Sequence, residues 1–232
     1  MRQLAGGADA PFWVVADEQA QGRGRAGRLW HSPKGNLYAT LALRPGVSPA
    51  TATQLSLVAA LAAFDAATGL LAADRLAGLR LKWPNDLLLA GGKLAGILIE
   101  SVTGSKTGEL AVAIGIGINA VSAPSDTGRE VASLGLGAGG AARAFEALAG
   151  ASQTWLARWD RGHGFPAIRE AWLARAHAKG EPLNVRLNGT MIGGRFRGVD
   201  ERGALQLETD AGVVITVNAG DIYPNAQDRL IS

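Results

Sequence analysis

Lys82-Trp83-Pro84-Asn85-Asp86-Leu87-Leu88-Leu89-Ala90-Gly91-Gly92-Lys93-Leu94-Ala95-Gly96-Ile97-Leu98-Ile99-Glu100 is the stretch that decides the fold. Leu79 to Trp83 predicts a strand, stopped at Pro84, whose ring fixes φ and removes a backbone donor. Leu87 to Leu89 and Leu94 to Glu100, divided by Gly91–Gly92, predict the arms of a β-hairpin. Lys82 and Lys93 stand at the edges of these apolar strands, where an ammonium drawn out of water needs a negative partner. The bland alternative is a Pro-Asn-Asp turn and edge-strand lysines that discourage aggregation.

Outward from this hairpin, Phe12 to Ala16 suits a buried strand. Leu37 to Leu43 predicts another, with Leu37, Ala39, Leu41 and Leu43 on one face. Ser48–Pro49 is a helix start, since Ser accepts a backbone N–H and Pro tolerates the first helical position. The Ala/Leu-rich helix it opens should run to about Thr68, ended by Gly69. Glu109 to Asn119 alternates as a strand whose glycines permit close backbone approach. Ser122 to Gly140 is loop-like, and helices are expected at about Ala141 to Arg161 and Pro166 to Lys179. After Gly180-Glu181-Pro182, short alternating runs at Leu183–Leu187, Met191–Val199, Ala204–Glu208 and Val213–Val217 suggest a small β-barrel. Asn188–Gly189 and Asp210-Ala211-Gly212 separate some of them. The expected architecture is an α+β catalytic domain over 1–181 and a small β domain over 182–232.

Composition sets limits on function. The 232 residues are 47% hydrophobic and 19% charged, a globular balance. There is no cysteine, which excludes disulfides, thiolate metal sites and Cys nucleophiles and fits a reducing compartment. His31, His163 and His177 are too dispersed to suggest a zinc site. Met1 to Pro11 has no signal-peptide core, and no apolar stretch reads as a transmembrane helix, so a cytoplasmic protein is expected. A net charge of +3 is too small to argue by itself for nucleic acid.

A second segment, Gly22-Arg23-Gly24-Arg25-Ala26-Gly27-Arg28-Leu29-Trp30-His31-Ser32-Pro33-Lys34-Gly35-Asn36, sets three arginines on a glycine-rich loop. Such a loop can surround an anion, because glycine lets amides approach and arginine offers a forked donor. A solvated basic loop, or an Arg–Gly segment that meets RNA, fits the same composition. Gly115-Ile116-Gly117-Ile118-Asn119 is the third signal, and alone it reads equally as a packed strand ending in a turn.

Taken together and in this order, these segments resemble the biotin protein ligase family, with the match running from about Val14 to Asn119. The resemblance implies an α+β domain with a mixed sheet, followed by a small SH3-like β-barrel. It implies a two-step reaction: biotin and MgATP give biotinyl-AMP and pyrophosphate, then a lysine amine of a biotin carboxyl carrier protein attacks the mixed anhydride. By motif position, Gln19, Gly22 and Arg23 would lie along biotin and its carboxylate. Arg23, Arg25 and Arg28 belong to a loop that orders over the adenylate. Trp30 would neighbour the adenine, and Asn119 would contact the nucleotide. Lys93 would bridge the carboxylate and the α-phosphate. Asn85 and Asp86 match positions near phosphate and metal, so Asp86 is the expected carboxylate toward Mg²⁺. Gly96 and Ile97 would offer backbone groups to biotin.

The chemistry explains these residue types. Pressing a carboxylate against a polyphosphate forces anions together, so fixed cations and Mg²⁺ must neutralise the approach. Lys93, Arg23, Arg25 and Asp86 are therefore the catalytic candidates. A loop that closes over the site would protect the adenylate from water. The acceptor lysine must be neutral to attack, yet at a pKa of about 10.4 only roughly one in a couple of thousand is so at pH 7. Asp86 is the candidate base.

Family members carry a Ser-Thr-Asn run ahead of the first strand that helps to hold biotin. Met1 to Pro11 contains none, so a missing upstream segment is expected. Ala26 stands where a further arginine is common. With no helix-turn-helix segment, DNA binding is not expected, and a homodimer is left open because the family includes monomers and dimers. The competing readings are a homologue that binds biotin or its adenylate without turnover, an RNA-binding protein, and a lipoate or octanoyl transferase.

Overall fold

The computed structural model describes residues 10–104, 108–124, 128, 130–187, 190–218 and 220–224. Met1 to Asp9 and Asn188–Gly189 lie outside them, and with them the expectations placed there.

Six strands form the first sheet: β1 (Phe12–Ala16), β2 (Leu37–Leu43), β3 (Leu79–Lys82), β4 (Asp86–Leu89), β5 (Gly92–Thr103) and β6 (Leu110–Ile118). Their spatial order is β1-β2-β6-β5-β4-β3. Among the described residues all the strand pairings of this sheet are antiparallel, and the one parallel contact is an isolated bridge between Lys93 and Val131. The β4–β5 hairpin turns at Ala90 and Gly91, both with positive φ (48° and 84°), the backbone that a tight two-residue turn requires. A register shift between Leu87 and Leu88 lets the hairpin twist.

The expected first helix starts as predicted, with the Ser48 hydroxyl accepting from the Thr51 amide. It is broken into α1 (Pro49–Ala52) and α2 (Leu55–Thr68). Residues from Leu55 to Ala67 of α2 are buried on nearly every side. A helix apolar all round must be covered all round, and the sheet, α3 (Gly140–Trp159) and α4 (Phe165–Leu173) cover it. The stretch Pro49–Thr68 is long and apolar enough to cross a membrane by length and composition alone, but 67% of its most apolar window is buried in this core, which is what makes it apolar. Helix α4 ends at Leu173, short of the predicted Lys179, because the chain must turn so that the Arg175 carbonyl accepts from the Leu81 amide of β3 (2.8 Å).

The C-terminal strands are β7 (Pro182–Leu187), β8 (Thr190–Val199), β9 (Leu205–Glu208), β10 (Val214–Val217) and β11 (Asp221–Pro224). They make a five-stranded antiparallel sheet ordered β10-β9-β8-β7-β11. The sequence predicts a closed barrel. Among the described residues the sheet is open, since no pairing joins β10 to β11. Its inner face (Leu183, Val185, Phe196, Val199, Leu205, Leu207) joins the same hydrophobic cluster as α2 and the first sheet.

Candidate active site

The face of the first sheet turned away from α2 carries small residues where β5 and β6 meet. A cavity of about 1050 Å³ opens over it. Gly96 and Gly117 are register partners there, and together they form a shelf. A Cβ on Gly117 would sit 2.6 Å from Cζ2 and 2.7 Å from Cε2 of Trp30; one on Gly96 would sit 3.1 Å from Trp30 Cζ3 and from Lys93 Nζ. At Gly117 only glycine admits this approach, because real Cβ atoms essentially never come within 3.0 Å of such neighbours, whereas at Gly96 a Cβ would need the ring or the lysine to give by a few tenths of an ångström.

Lys93 lies at the start of β5 and Asp86 at the start of β4, and the hairpin folds one onto the other. Lys93 Nζ is 2.5 Å from Asp86 Oδ1, with the two side chains only 13% and 15% exposed. The ammonium also lies 5.3 Å from the centroid of the Trp30 ring. The backbone of Lys93 is held from three directions. Its amide donates to the Glu130 carbonyl (3.0 Å), and its carbonyl accepts from the Ala132 amide (3.0 Å) and from Asn119 Nδ2 (3.2 Å). The lysine of the predicted bridge is thus fixed at both its backbone and its ammonium end.

The glycine- and arginine-rich loop forms the rim. Trp30 N–H donates to the Gly22 carbonyl (2.9 Å) and Gly24 N–H to the Arg28 carbonyl (2.7 Å), closing a narrow lasso over Arg25 to Gly27. Ala26 has φ 53°, a left-handed backbone in which a bulkier side chain would be strained. Arg25 Nη1 donates to the Gly220 carbonyl of the C-terminal sheet region (3.0 Å), and Ile222 and Tyr223 complete that wall. Arg23, Arg25 and Arg28 face the same cavity as Lys93.

Of the remaining predicted residues, Gln19 lines the cavity and its Oε1 accepts from the Ser32 hydroxyl (3.0 Å). Gly22 does not line it. Gly22 leaves room for the Trp30 carbonyl and Ser32 Oγ, so its observed job is to shape the loop. Asn85 and Ile97 are occupied with each other: Asn85 Nδ2 donates to the Ile97 carbonyl (2.6 Å), and the Ile97 amide to the Asn85 carbonyl (2.9 Å). The Ile97 side chain is buried in the core on the opposite face. Asn119 is 1% exposed, and Nδ2 also donates to the Ala132 carbonyl (2.9 Å). Its Oδ1 has no hydrogen-bond partner among the described residues. It borders a second, smaller cavity of about 270 Å³, shared with Arg28, Trp30, His31 and Lys93.

Several cavity residues escaped prediction. Tyr38 lies at the mouth of β2, where its hydroxyl donates to the Pro33 carbonyl (2.7 Å) and burial pushes the phenol up to about 12. Thr40, Leu98 and Gly115 line the sheet floor beside it. The strict alternation of β2 held the signal, since the residues between Leu37, Ala39 and Leu41 had to face the other way. His177 and Glu181 line the far end, brought there by the linker into β7. Among the described residues no group of three His, Cys, Asp or Glu side chains could cage a metal ion. A magnesium ion arriving on nucleotide phosphates needs no such cage, because it asks the protein for one or two carboxylates only.

Residues 5–119 match the biotin/lipoate A/B protein ligase family, and residues 180–223 match the biotin protein ligase C-terminal domain. A biotin–[acetyl-CoA-carboxylase] ligase of Paracoccus denitrificans is 46% identical over 90% of this chain and 89% of its own length. A bifunctional ligase/repressor of Bacillus subtilis is 36% identical over 86% of this chain, which spans 62% of that relative. Among solved structures, the biotin protein ligase of Aquifex aeolicus in complex with biotin and ATP superimposes with a TM-score of 0.76, at 23% identity, over 96% of this chain and 92% of that one. That likeness is one of fold.

Proposed function

The chain belongs to the biotin protein ligase family, and on that basis we propose that it joins biotin to ATP and passes the biotinyl group to a lysine of a biotin carboxyl carrier protein. One observation carries the proposal: Lys93, Arg23, Arg25 and Arg28 face one cavity floored by glycine, with Asp86 against the lysine. Two anions must meet there, and four cations lining one cavity are what such a meeting needs.

Biotin lies along the Gly96–Gly117 shelf with Gln19 and Arg23 toward its carboxylate end. A carboxylate oxygen attacks the α-phosphorus and the bond to pyrophosphate breaks. Lys93 turns from Asp86 to the oxygens gathering charge, while Arg25 and Arg28 neutralise the leaving group. Magnesium, held on the phosphates and oriented by Asp86, would offset their charge. Trp30, Asn85 and Asn119 are the nucleotide's neighbours, Asn119 through its free Oδ1 acceptor. In the second step the acceptor amine attacks the biotinyl carbonyl and AMP leaves. Asp86, released by Lys93, takes the proton that the amine must lose. The division at 181/182 separates the catalytic domain from a C-terminal domain that closes one wall of the site. The chain acts in the cytoplasm, without DNA.

Incubating the chain with biotin, MgATP and a carrier domain should add one biotinyl group to that domain by mass spectrometry and release pyrophosphate. An unmodified carrier, with the chain folded, would reject the proposal.

A further inference from the structure

Lys93 stands where the hairpin ladder slips. Leu88 opposes Lys93 but Leu87 opposes Ala95, so Leu94 is an extra residue at this point of β5. A bulge of this kind re-aims a side chain and interrupts the ladder beside it. Residues 130–134 supply the backbone partners that β4 does not. The Lys93 amide donates to the Glu130 carbonyl and the Lys93 carbonyl accepts from the Ala132 amide (3.0 Å each). Asn119 Nδ2 joins the Lys93 and Ala132 carbonyls (3.2 and 2.9 Å), and the Asn119 carbonyl accepts from the Leu134 amide (2.9 Å). The strip lies so close that a Cβ on Gly92 would sit 2.9 Å from the Val131 carbonyl carbon. Val131 also walls the smaller cavity. One strip thus sets the backbone of the lysine and the side chain of Asn119 together.

The strip is clamped by an arginine from elsewhere in the chain. Arg75 lies on the short helical turn Ala73–Gly78, between α2 and β3. Its Nη1 donates to the Leu134 carbonyl (2.7 Å) and its Nη2 to the Ser133 carbonyl (2.9 Å). Arg75 borders neither cavity. A surface arginine ordinarily leaves its guanidinium to water; this one gives both terminal nitrogens to successive backbone carbonyls. A planar fork suits two such acceptors, whereas a lysine ammonium is a compact point donor. From this geometry we infer that Arg75 is a positioning residue for the reaction. By clamping Ser133 and Leu134 it holds residues 130–134 against Lys93 and Asn119, and so sets where the Lys93 ammonium stands when carboxylate and α-phosphate meet. The inference rests on the proposed function, which gives Lys93 that task. A misplacement of about 1 Å can cost on the order of 10²-fold in rate, so a clamp outside the cavity can govern the chemistry within it.

Arg75→Ala should lower kcat for pyrophosphate release from biotin and MgATP by roughly 10- to 100-fold, with a much smaller change in the KM for biotin. Ethylguanidinium added at millimolar concentration should restore part of the lost rate, because it can refill the fork. Arg75→Lys keeps the charge but meets one carbonyl only, so its kcat should fall between the two. With no ligand present, amide hydrogen exchange at Lys93 and Ala132 should quicken in Arg75→Ala. If Arg75→Ala does not fold, kcat and exchange in Arg75→Lys decide the matter. A variant with the parent's kcat would overturn the inference and leave the ligase reading intact. So would a loss of rate that only follows the denaturant midpoint and that ethylguanidinium does not restore, for then the clamp serves stability alone. A folded parent chain that releases no pyrophosphate would overturn the ligase reading, and the inference with it.

Discussion

Lys93 and Asp86 are a lesson in what one side chain owes another. With both groups held largely out of water at 2.5 Å, each is the other's main compensation for lost hydration. Replacing Lys93 by Ala should lower adenylation by a factor of about 10²–10³, the usual cost of removing one preorganised charge from a reacting centre. It should also destabilise the fold, because it strands the Asp86 carboxylate, and breaking a buried pair costs about 3–5 kcal/mol. Asp86→Asn separates the two effects: the amide still bonds the ammonium, so stability should fall less while carrier labelling still suffers. Pyrophosphate release and denaturant midpoints on both variants check this, and equal losses of activity and stability in both would contradict it. The lysine was legible in the sequence as an edge cation in need of a partner. Its partner was legible only as a neighbour in a motif, because the hairpin that joins positions seven apart had first to be folded.

At the scale of elements, the strands that alternate or run apolar were legible almost to the residue, β1 and β2 fully so in their bounds, although β1 is a sheet-edge strand with Val14 and Val15 exposed where a buried strand was expected. Short β11 was missed because Asp221-Ile222-Tyr223-Pro224 has no run to detect. It exists through pairing with β7, a tertiary cause. The α1–α2 break was likewise invisible, since Ala and Leu favour helix throughout. Asn36 was read only as the end of a loop, but it is 1% exposed and ties the start of β2 to the segment after β6. Its Oδ1 accepts from the Val121 and Ser122 amides (2.9 and 3.1 Å), and Nδ2 donates to the Ser122 carbonyl (2.9 Å). Asn36→Ala removes three hydrogen bonds made by a buried side chain to the half-buried Val121 and the exposed Ser122, whose freed groups water can reach, so each costs about 0.5–1.5 kcal/mol. A loss of about 1–3 kcal/mol in urea unfolding is expected, with faster hydrogen exchange at Val121 and Ser122. Asn36→Asp, which keeps the acceptor, should recover much of it.

Over the whole molecule, the division suggested by the sequence at Pro182 does not divide the core. Trp83, buried beside the cavity, donates from Nε1 to the Gly203 carbonyl (3.0 Å), and Arg169 reaches the Val199 carbonyl (2.5 Å). The linker adds an ionisable joint. His177 Nδ1 is 2.7 Å from Glu181 Oε1, and Glu181 also meets Arg80 of β3 (3.2 Å). The imidazole packs edge-on against Phe196 of β8, with Lys82 nearby. Burial holds His177 below its ordinary 6.5, against the pull of Glu181 and with a smaller push from Arg80 and Lys82. Burial acts to raise Glu181, but the bond to His177, the Ala178 amide and Arg80 outweigh it and hold the carboxyl below its ordinary 4.5. The signs agree. As pH falls through 6.5 the unfolded chain takes up a proton at His177 before the folded one does, so stability falls until the lower folded value is passed. Glu181 adds a second loss, present above 4.5 and surrendered as pH falls toward its folded value. Denaturant midpoints measured down this range should therefore decline in two stages. His177→Gln should flatten the first stage and keep the second, because Gln carries no proton to bind. Since the joint connects β3, the linker and β8, the loss should register equally in probes of both sheets. A decline confined to one sheet, or a His177→Gln profile parallel to that of the parent, would show that the joint does not bear on the stability of the whole.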